Sequence, residues 1–337
     1  MRIRLLFLLL LGHGLPAQTP VGPADGPPLS FYGREPLAHT FSIVARDSAT
    51  GEMGIAVQSH WFSVGTVVSW AEAGVGVVAT QSFVNKSFGL RGLALLKNGL
   101  SPRAALDSLL ADDPGREVRQ VAILDTLGRV AAHTGKSCIQ YACDQQGAQF
   151  SVQANMMLGP EVCQAMRGAF ESSAGNPLAE RLLRALEAAQ GAGGDFRGQQ
   201  SAAILVVPGR SNGRPWDERL VDLRVDDHAE PIRELRRLYT VHQAYEHMNK
   251  GDYFVEINDM ASAMREYNAA RELMPAQIEL QFWTALTLAN VGRLDESLPM
   301  FKSVFHREPV WRDIMPRLAA VGLVTMKQAD LERILRL

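Results

Sequence analysis

His39-Thr40-Phe41-Ser42-Ile43-Val44-Ala45-Arg46-Asp47, then Ser48-Ala49-Thr50-Gly51-Glu52-Met53-Gly54, then Ile55-Ala56-Val57-Gln58-Ser59 is the stretch from which the fold is read. Apolar residues alternate with small or polar ones on both sides of a turn-rich middle, the period-two signature of two strands. Gly51 and Gly54 permit the positive φ angles that a chain reversal needs. The expectation is a β-hairpin whose first strand starts at Thr40. A threonine heading a strand is ordinary. It acquires chemistry if the chain is cut just before it, because its free amine can then serve as base for its own hydroxyl.

Outward from the hairpin, strand patterns occupy residues 66–70 and 75–81. A helical period over residues 87–98 stops at Gly99, and Ser101-Pro102 opens a second helix that ends before Asp113-Pro114-Gly115. Residues 118–125 and 129–134 read as a strand pair, and residues 150–156 as a further strand. Helices follow at 159–172 and 177–190, then a glycine loop and strands at 200–207 and 220–225. Short links between strands imply mainly antiparallel sheets. Two helices outside each of two stacked sheets bury both outer faces. Residues 39–227 are therefore expected to form an α+β domain built as a four-layer αββα sandwich.

The ends differ from this domain. Arg2 and Arg4 precede a seven-residue apolar run, with Leu15-Pro16-Ala17 before Gln18, so residues 1–17 read as a signal peptide and the chain as exported, periplasmic or secreted. The run is too short to span a bilayer, and no membrane span is expected after its removal. Residues 18–38 are rich in proline and glycine and read as a flexible leader. Residues 231–337 turn to long amphipathic helices. The spacing of Ala285, Leu288, Gly292, Leu294, Phe301 and Phe305 within the 34 positions 276–309 resembles a tetratricopeptide repeat, and Ala244, Gly251, Ala263, Tyr267, Ala270 and Pro275 echo it upstream. Trp283, Leu286 and Leu298 are expected to pack between these helices. The expected role is to dock a protein partner, either an extended peptide or a second subunit of a homo-oligomer; the alternative is that these helices only cover an edge of the first domain and add stability.

A formal net charge of −2 and a pI near 6.5 give no electrostatic footprint for nucleic acid. Among three cysteines, Cys138 and Cys143 flank a short segment and are placed to close a hairpin loop, while Cys163 falls in a helical pattern and reads as a buried thiol. Their spacing suggests no metal site, and no cofactor is implied. Gly74-Val75-Gly76-Val77-Val78-Ala79 matches a dinucleotide fingerprint in letters only, since strand residues rather than a helix follow it. Asn155, at a strand end, either donates to an oxyanion or caps the next helix. Thr80, Gln81 and Asn85 either line a pocket or end their strand. Asp195 and Arg197, in a glycine loop, either bind substrate charge or form a surface ion pair. His60 and His133 stand alone and read as ordinary packed or surface residues.

Several blocks together resemble the domain of unknown function 1028 family: residues 40–47, Ala56-Val57-Gln58-Ser59, residues 74–81, Asp113-Pro114-Gly115-Arg116, and Gly193-Gly194-Asp195 with residues 197–202. The resemblance runs in order over about residues 39–225. It implies an N-terminal nucleophile hydrolase-like αββα fold, with Thr40 as nucleophile attacking an amide or peptide substrate, and Gln58, Ser59, Gln81 or Asn155 supplying orienting hydrogen bonds. Two departures stand out. Thr40 lies inside the chain, so a cut between His39 and Thr40 is required beyond signal removal. Gln58 stands where proteasome-like relatives carry an aspartate, and no lysine occurs between Thr40 and Asn85. The expected function is an exported amide hydrolase; the alternative is a non-catalytic ligand- or partner-binding protein on the same fold.

Overall fold

The computed structural model describes residues 37–38 and 40–337. The expected signal peptide, nearly all of the leader, and His39 lie outside the described residues. The strands are β1 (Leu37–Ala38), β2 (Thr40–Arg46), β3 (Met53–Ser59), β4 (Ser69–Glu72), β5 (Gly76–Phe83), β6 (Arg119–Asp125), β7 (Val130–Thr134), β8 (Cys143–Gly147), β9 (Phe150–Ala154), β10 (Ser201–Val207) and β11 (Val221–Val225). One sheet runs β1-β5-β6-β7 with β4 also on β5. The other runs β11-β10-β3-β2-β9-β8, and every pairing is antiparallel.

The helices are α1 (Gly65–Val68), α2 (Ser87–Lys97), α3 (Pro102–Ala111), α4 (Val162–Ser172), α5 (Leu178–Gly191), α6 (Pro231–Glu256), α7 (Met260–Leu273), α8 (Ile278–Asn290) and α9 (Leu294–Arg307), followed by three short ones. Helix α3 begins as its sequence demands: Ser101 Oγ accepts the Ala104 amide and Pro102 takes the first helical position, where a missing N–H costs nothing.

Strand alternation sorts the core. Phe41, Ile43 and Ala45 of β2 pack with α4 and α5, through Met166, Leu182 and Leu186. Val44, Ile55 and Val57 from one sheet join Val77, Ala79 and Leu124 from the other in a separate cluster. Val78, Val121 and Ile123 pack against Phe88, Leu106 and Leu109 of α2 and α3. The central strands β2, β3, β5 and β6 thus bury both faces, which explains their near-continuous burial.

Two expectations change. Residues 66–70 are not one strand, because α1 ends at Val68 and β4 begins at Ser69. The disulfide joins Cys143 to Cys163, and Cys138 is the free thiol. The reason is β8, a polar strand with little hydrophobic alternation. It sets Cys143 beside Ala154, on the face turned toward α4, where Cys163 sits. Closing that loop contributes roughly 3 kcal/mol against the unfolded chain. The helical region joins the sheet domain through a short loop at residues 226–230 and also packs on it. Ile232, Leu235 and Tyr239 of α6 are buried in the cluster of α4 and α5, whereas Ala244 and Met248 of the same helix pack with Ala263, Tyr267 and Ala270 of α7. Helix α6 belongs to both parts. It approaches α7 closely at Gly251, where a Cβ would come within 2.3 Å of the Tyr267 ring. Helices α8 and α9 share a further core of Phe282, Phe301 and Phe305.

Candidate functional site

Thr40 heads β2, between β3 and β9 in the middle of the six-stranded sheet, and is fully buried. The hairpin register sets Thr40 opposite Ser59 and Phe41 opposite Gln58. Thr40, Ser42 and Val44 share the face turned to the other sheet, and Ser59 joins them there. Gln58 lies on the opposite face. Its cross-strand neighbours, Phe41 and Ala202, both belong to the core under α4 and α5. Gln58 therefore does not reach Thr40, although one residue of register separates it from Ser59. Both polar atoms of its amide are buried without a hydrogen-bond partner among the described residues.

Around Thr40 stand amides from both sheets. The Thr40 carbonyl oxygen accepts the Asn155 backbone N–H at 3.0 Å, Gln81 Nε2 at 3.3 Å and Asn155 Nδ2 at 3.4 Å. Gln120 holds these two amides: its Oε1 accepts Gln81 Nε2 at 2.7 Å and Asn155 Nδ2 at 2.8 Å. Gln120 Nε2 lies 2.9 Å from Thr134 Oγ1, 3.0 Å from the Ala154 carbonyl oxygen and 3.1 Å from that of Cys143. Ser42 Oγ faces Gln81 Oε1 at 2.6 Å and Gln153 Oε1 at 3.0 Å, and its single proton serves one of them at a time. Asn155 caps no helix, since α4 starts at Val162. Gln120, Gln153 and Ser42 escape a motif-based reading. Their signal is parity: each is a polar residue on a strand position that shares its face with core apolar residues, as Gln120 does with Ala122 and Leu124.

Thr80 and Asn85 belong elsewhere. Thr80 pairs with Val121, on the face under α2 and α3, and its hydroxyl donates to the Asn85 carbonyl oxygen at 3.3 Å. Asn85 Oδ1 in turn accepts the Ser87 amide and hydroxyl at the start of α2. Their role is to close a strand end.

The Asp113-Pro114-Gly115-Arg116 block is likewise structural. Asp113 pairs at 2.7 Å with Arg119, whose side chain is only 2% exposed and donates to the Phe83 carbonyl oxygen. A Cβ at Gly115 would stand 2.7 Å from that guanidinium. Burial pushes the Asp113 carboxyl up, but the Arg119 N–H bonds, the Gly115 N–H and the guanidinium charge outweigh it and hold the group below its ordinary value.

Asp195 and Arg197 sit at the Thr40 end of the sheet. The Asp195 side chain is fully buried, accepts the His60 backbone N–H, and takes Arg197 Nε at 3.0 Å and Nη2 at 2.6 Å. The loop that carries it pairs with Met157, two residues beyond Asn155. The ion pair thus fixes the segment that follows Asn155 against the end of β3, rather than lying free on the surface. His60 Nδ1 stands 3.3 Å from the Gln199 carbonyl oxygen, and His133 Nε2 2.9 Å from that of Arg116, so both histidines have local structural partners.

Before Thr40 the chain runs as β1 along β5, with Ala38 opposite Ser82 and Leu37 opposite Phe83, beyond the end of β4. It then crosses to the other sheet. Thr40 is an internal residue with a paired strand in front of it. Among the described residues, no group of three His, Cys, Asp or Glu side chains converges as a metal site, and no helix is long and apolar enough to cross a membrane.

The family model described as a family of unknown function, DUF1028, matches residues 40–235. The crystal structure of a Silicibacter pomeroyi protein assigned to the same family model is similar to this chain at 34% identity and a TM-score of 0.54, covering 60% of this chain and 88% of that one. No curated protein matches. The matched span begins at Thr40 and ends within α6, and it covers more than half of the sequence, so the chain belongs to the DUF1028 family.

Proposed function

We propose that this protein is an exported amide hydrolase with a four-layer αββα fold of the N-terminal nucleophile type, and that Thr40 becomes its nucleophile after cleavage of the His39–Thr40 bond. The observation that carries this reading is the position of Thr40: the first residue of a central strand, on the inter-sheet face, ringed by Ser59, Gln81, Gln120 and Asn155. A new amine at Thr40 would take the proton of its own Oγ as that oxygen attacks a substrate carbonyl. Ser59 stands directly across the hairpin as an orienting hydroxyl, and the Gln81 and Asn155 amides hold the Thr40 carbonyl and would donate to an oxyanion only by giving up a bond they make in the intact chain. With no lysine near, the amine would be kept neutral by its buried, uncharged surroundings, because burial disfavours the protonated form. The Cys143–Cys163 disulfide supports the exported state. The pairing of α6 with α7 and of α8 with α9 supports a tetratricopeptide-like module that docks a partner or a second subunit.

Intact-mass analysis of the protein recovered after export tests the mechanism. The expected species begins at Thr40, releases a chromogenic amide, and loses that activity in Thr40→Ala. A homogeneous product beginning at Gln18 would refute it.

A second reading has its own observation. Thr40 is fully buried in the intact chain, and the side chains on its carbonyl oxygen are the neutral amides of Gln81 and Asn155. That environment suits a ligand-binding protein on the same fold. Unchanged ligand binding in Thr40→Ala, with no activity in either form, would favour it.

A further inference from the structure

At the end of the sheets opposite Thr40, four turns enclose a cleft of about 940 Å³. They are the β2–β3 turn, the β4–β5 turn at Gly74, the β6–β7 turn at Thr126 and Leu127, and the segment after β10 from Pro208 to Ser211. The seven residues of β2 separate this cleft from Thr40 by roughly 20 Å, so it is no part of the site described above. Its floor is bare backbone. The Gly74 amide donates to the Pro208 carbonyl oxygen, and a Cβ at Gly209 would lie 2.2 Å from the Gly51 carbonyl oxygen.

Two guanidinium groups line the cleft and no carboxylate does. Arg46 is half-buried and has a hydrogen bond from Nη1 to Gln149 Oε1. Its Nε is buried without a partner, and its Nη2 lies on the Gly51 side, 3.7 Å from where a Cβ on that residue would stand. No ion pair neutralises Arg46 among the described residues. Arg210 is exposed and, among the described residues, takes part in no hydrogen bond or ion pair.

Of the carboxylates closest in sequence, Glu52 does not line the cleft, and the others are engaged. Asp47 accepts the Ala49 and Thr50 amides and Arg181. Asp125 holds its own turn and Arg129. Glu218 accepts Ser211 Oγ and the amides of Asn212 and Gly213. The walls also offer the hydroxyl-bearing residues Ser48, Thr50 and Thr126. Two arginines lining one polar cleft, neither neutralised by an ion pair among the described residues, are complementary to an oxyanion.

We propose that this cleft is a second binding site, taking the carboxylate or phosphate group of a small anionic molecule between Arg46 and Arg210. The proposal does not depend on hydrolysis at Thr40. Calorimetric titration of the full chain with inorganic phosphate, and separately with succinate, tests it and tells the two anion classes apart. Saturable binding of at least one is expected, weakened about tenfold or more by Arg210→Glu, whose exposed position leaves folding intact, and similarly by Arg46→Gln. Absence of saturable binding of both anions, or binding that neither substitution changes, would overturn it.

Discussion

Replacing Gln120 with leucine removes the joint of the polar network while keeping side-chain volume close to the original. In the native chain Gln120 Oε1 accepts two amide donors at 2.7 and 2.8 Å. After substitution, Gln81 Nε2 and Asn155 Nδ2 keep their longer contacts to the Thr40 carbonyl oxygen, at 3.3 and 3.4 Å. Thr134 Oγ1 keeps Asp144 as a partner, but the Ala154 and Cys143 carbonyl oxygens lose a donor. All this occurs where Gln120, Gln81 and Asn155 are fully buried, so water cannot readily repair it. A buried polar group left short of a partner costs about 1–3 kcal/mol. Two donors weakened and two acceptors reduced therefore give a loss of about 3–5 kcal/mol, the upper sum being tempered by the surviving bonds. Urea denaturation reads it as a lower midpoint at unchanged slope. The internal control is Thr80→Val, on the other face of the same sheet, where one 3.3 Å hydrogen bond is lost and a change of about 1 kcal/mol is expected. If Gln120→Leu costs no more than Thr80→Val, the network does not hold the two sheets together around Thr40 and the reasoning fails.

The buried Asp113–Arg119 pair makes stability fall in acid. Asp113 has a folded-state pKa below its unfolded one, so its contribution is complete above about pH 4 and is lost as pH drops through the lower folded value. Asp113→Asn removes the carboxylate's charged hydrogen bonds to Arg119 and should cost about 1.5–3 kcal/mol at neutral pH while flattening this part of the acid limb, as thermal melts between pH 2 and 7 will show. Truncation after Asp227 strips Ile232, Leu235 and Tyr239 from the core under α4 and α5. At about 2 kcal/mol for each side chain, the loss approaches the whole stability of an ordinary domain. The shortened chain is expected to aggregate on expression, whereas truncation after Asn249 retains those contacts; equal solubility of the two would show that α6 is dispensable to the sheet domain.

The sequence by itself determined the local elements. Period-two runs, Ser101-Pro102 and the glycine stops depend on steric rules and capping that act over a few residues, and β2, β3, α2, α3 and β10 stand close to where those signals put them. It also singled out Thr40, Ser59, Gln81 and Asn155, which the fold gathers at one end of the sheets. Tertiary structure alone decided what depends on pairing and register. The hairpin register turned Gln58 away from Thr40, since a side chain's face follows from its partner across the strand and not from its distance along the chain. The unanticipated strand β8 chose Cys163 over Cys138 as the partner of Cys143. Gln120 carries no local motif, yet becomes the hub of the network because two sheets place the Gln81 and Asn155 amides within 3 Å of its carbonyl oxygen. Helix α6 packs on the sheet domain as well as on α7 because its two halves find different apolar partners, a fact that no window of its own sequence contains.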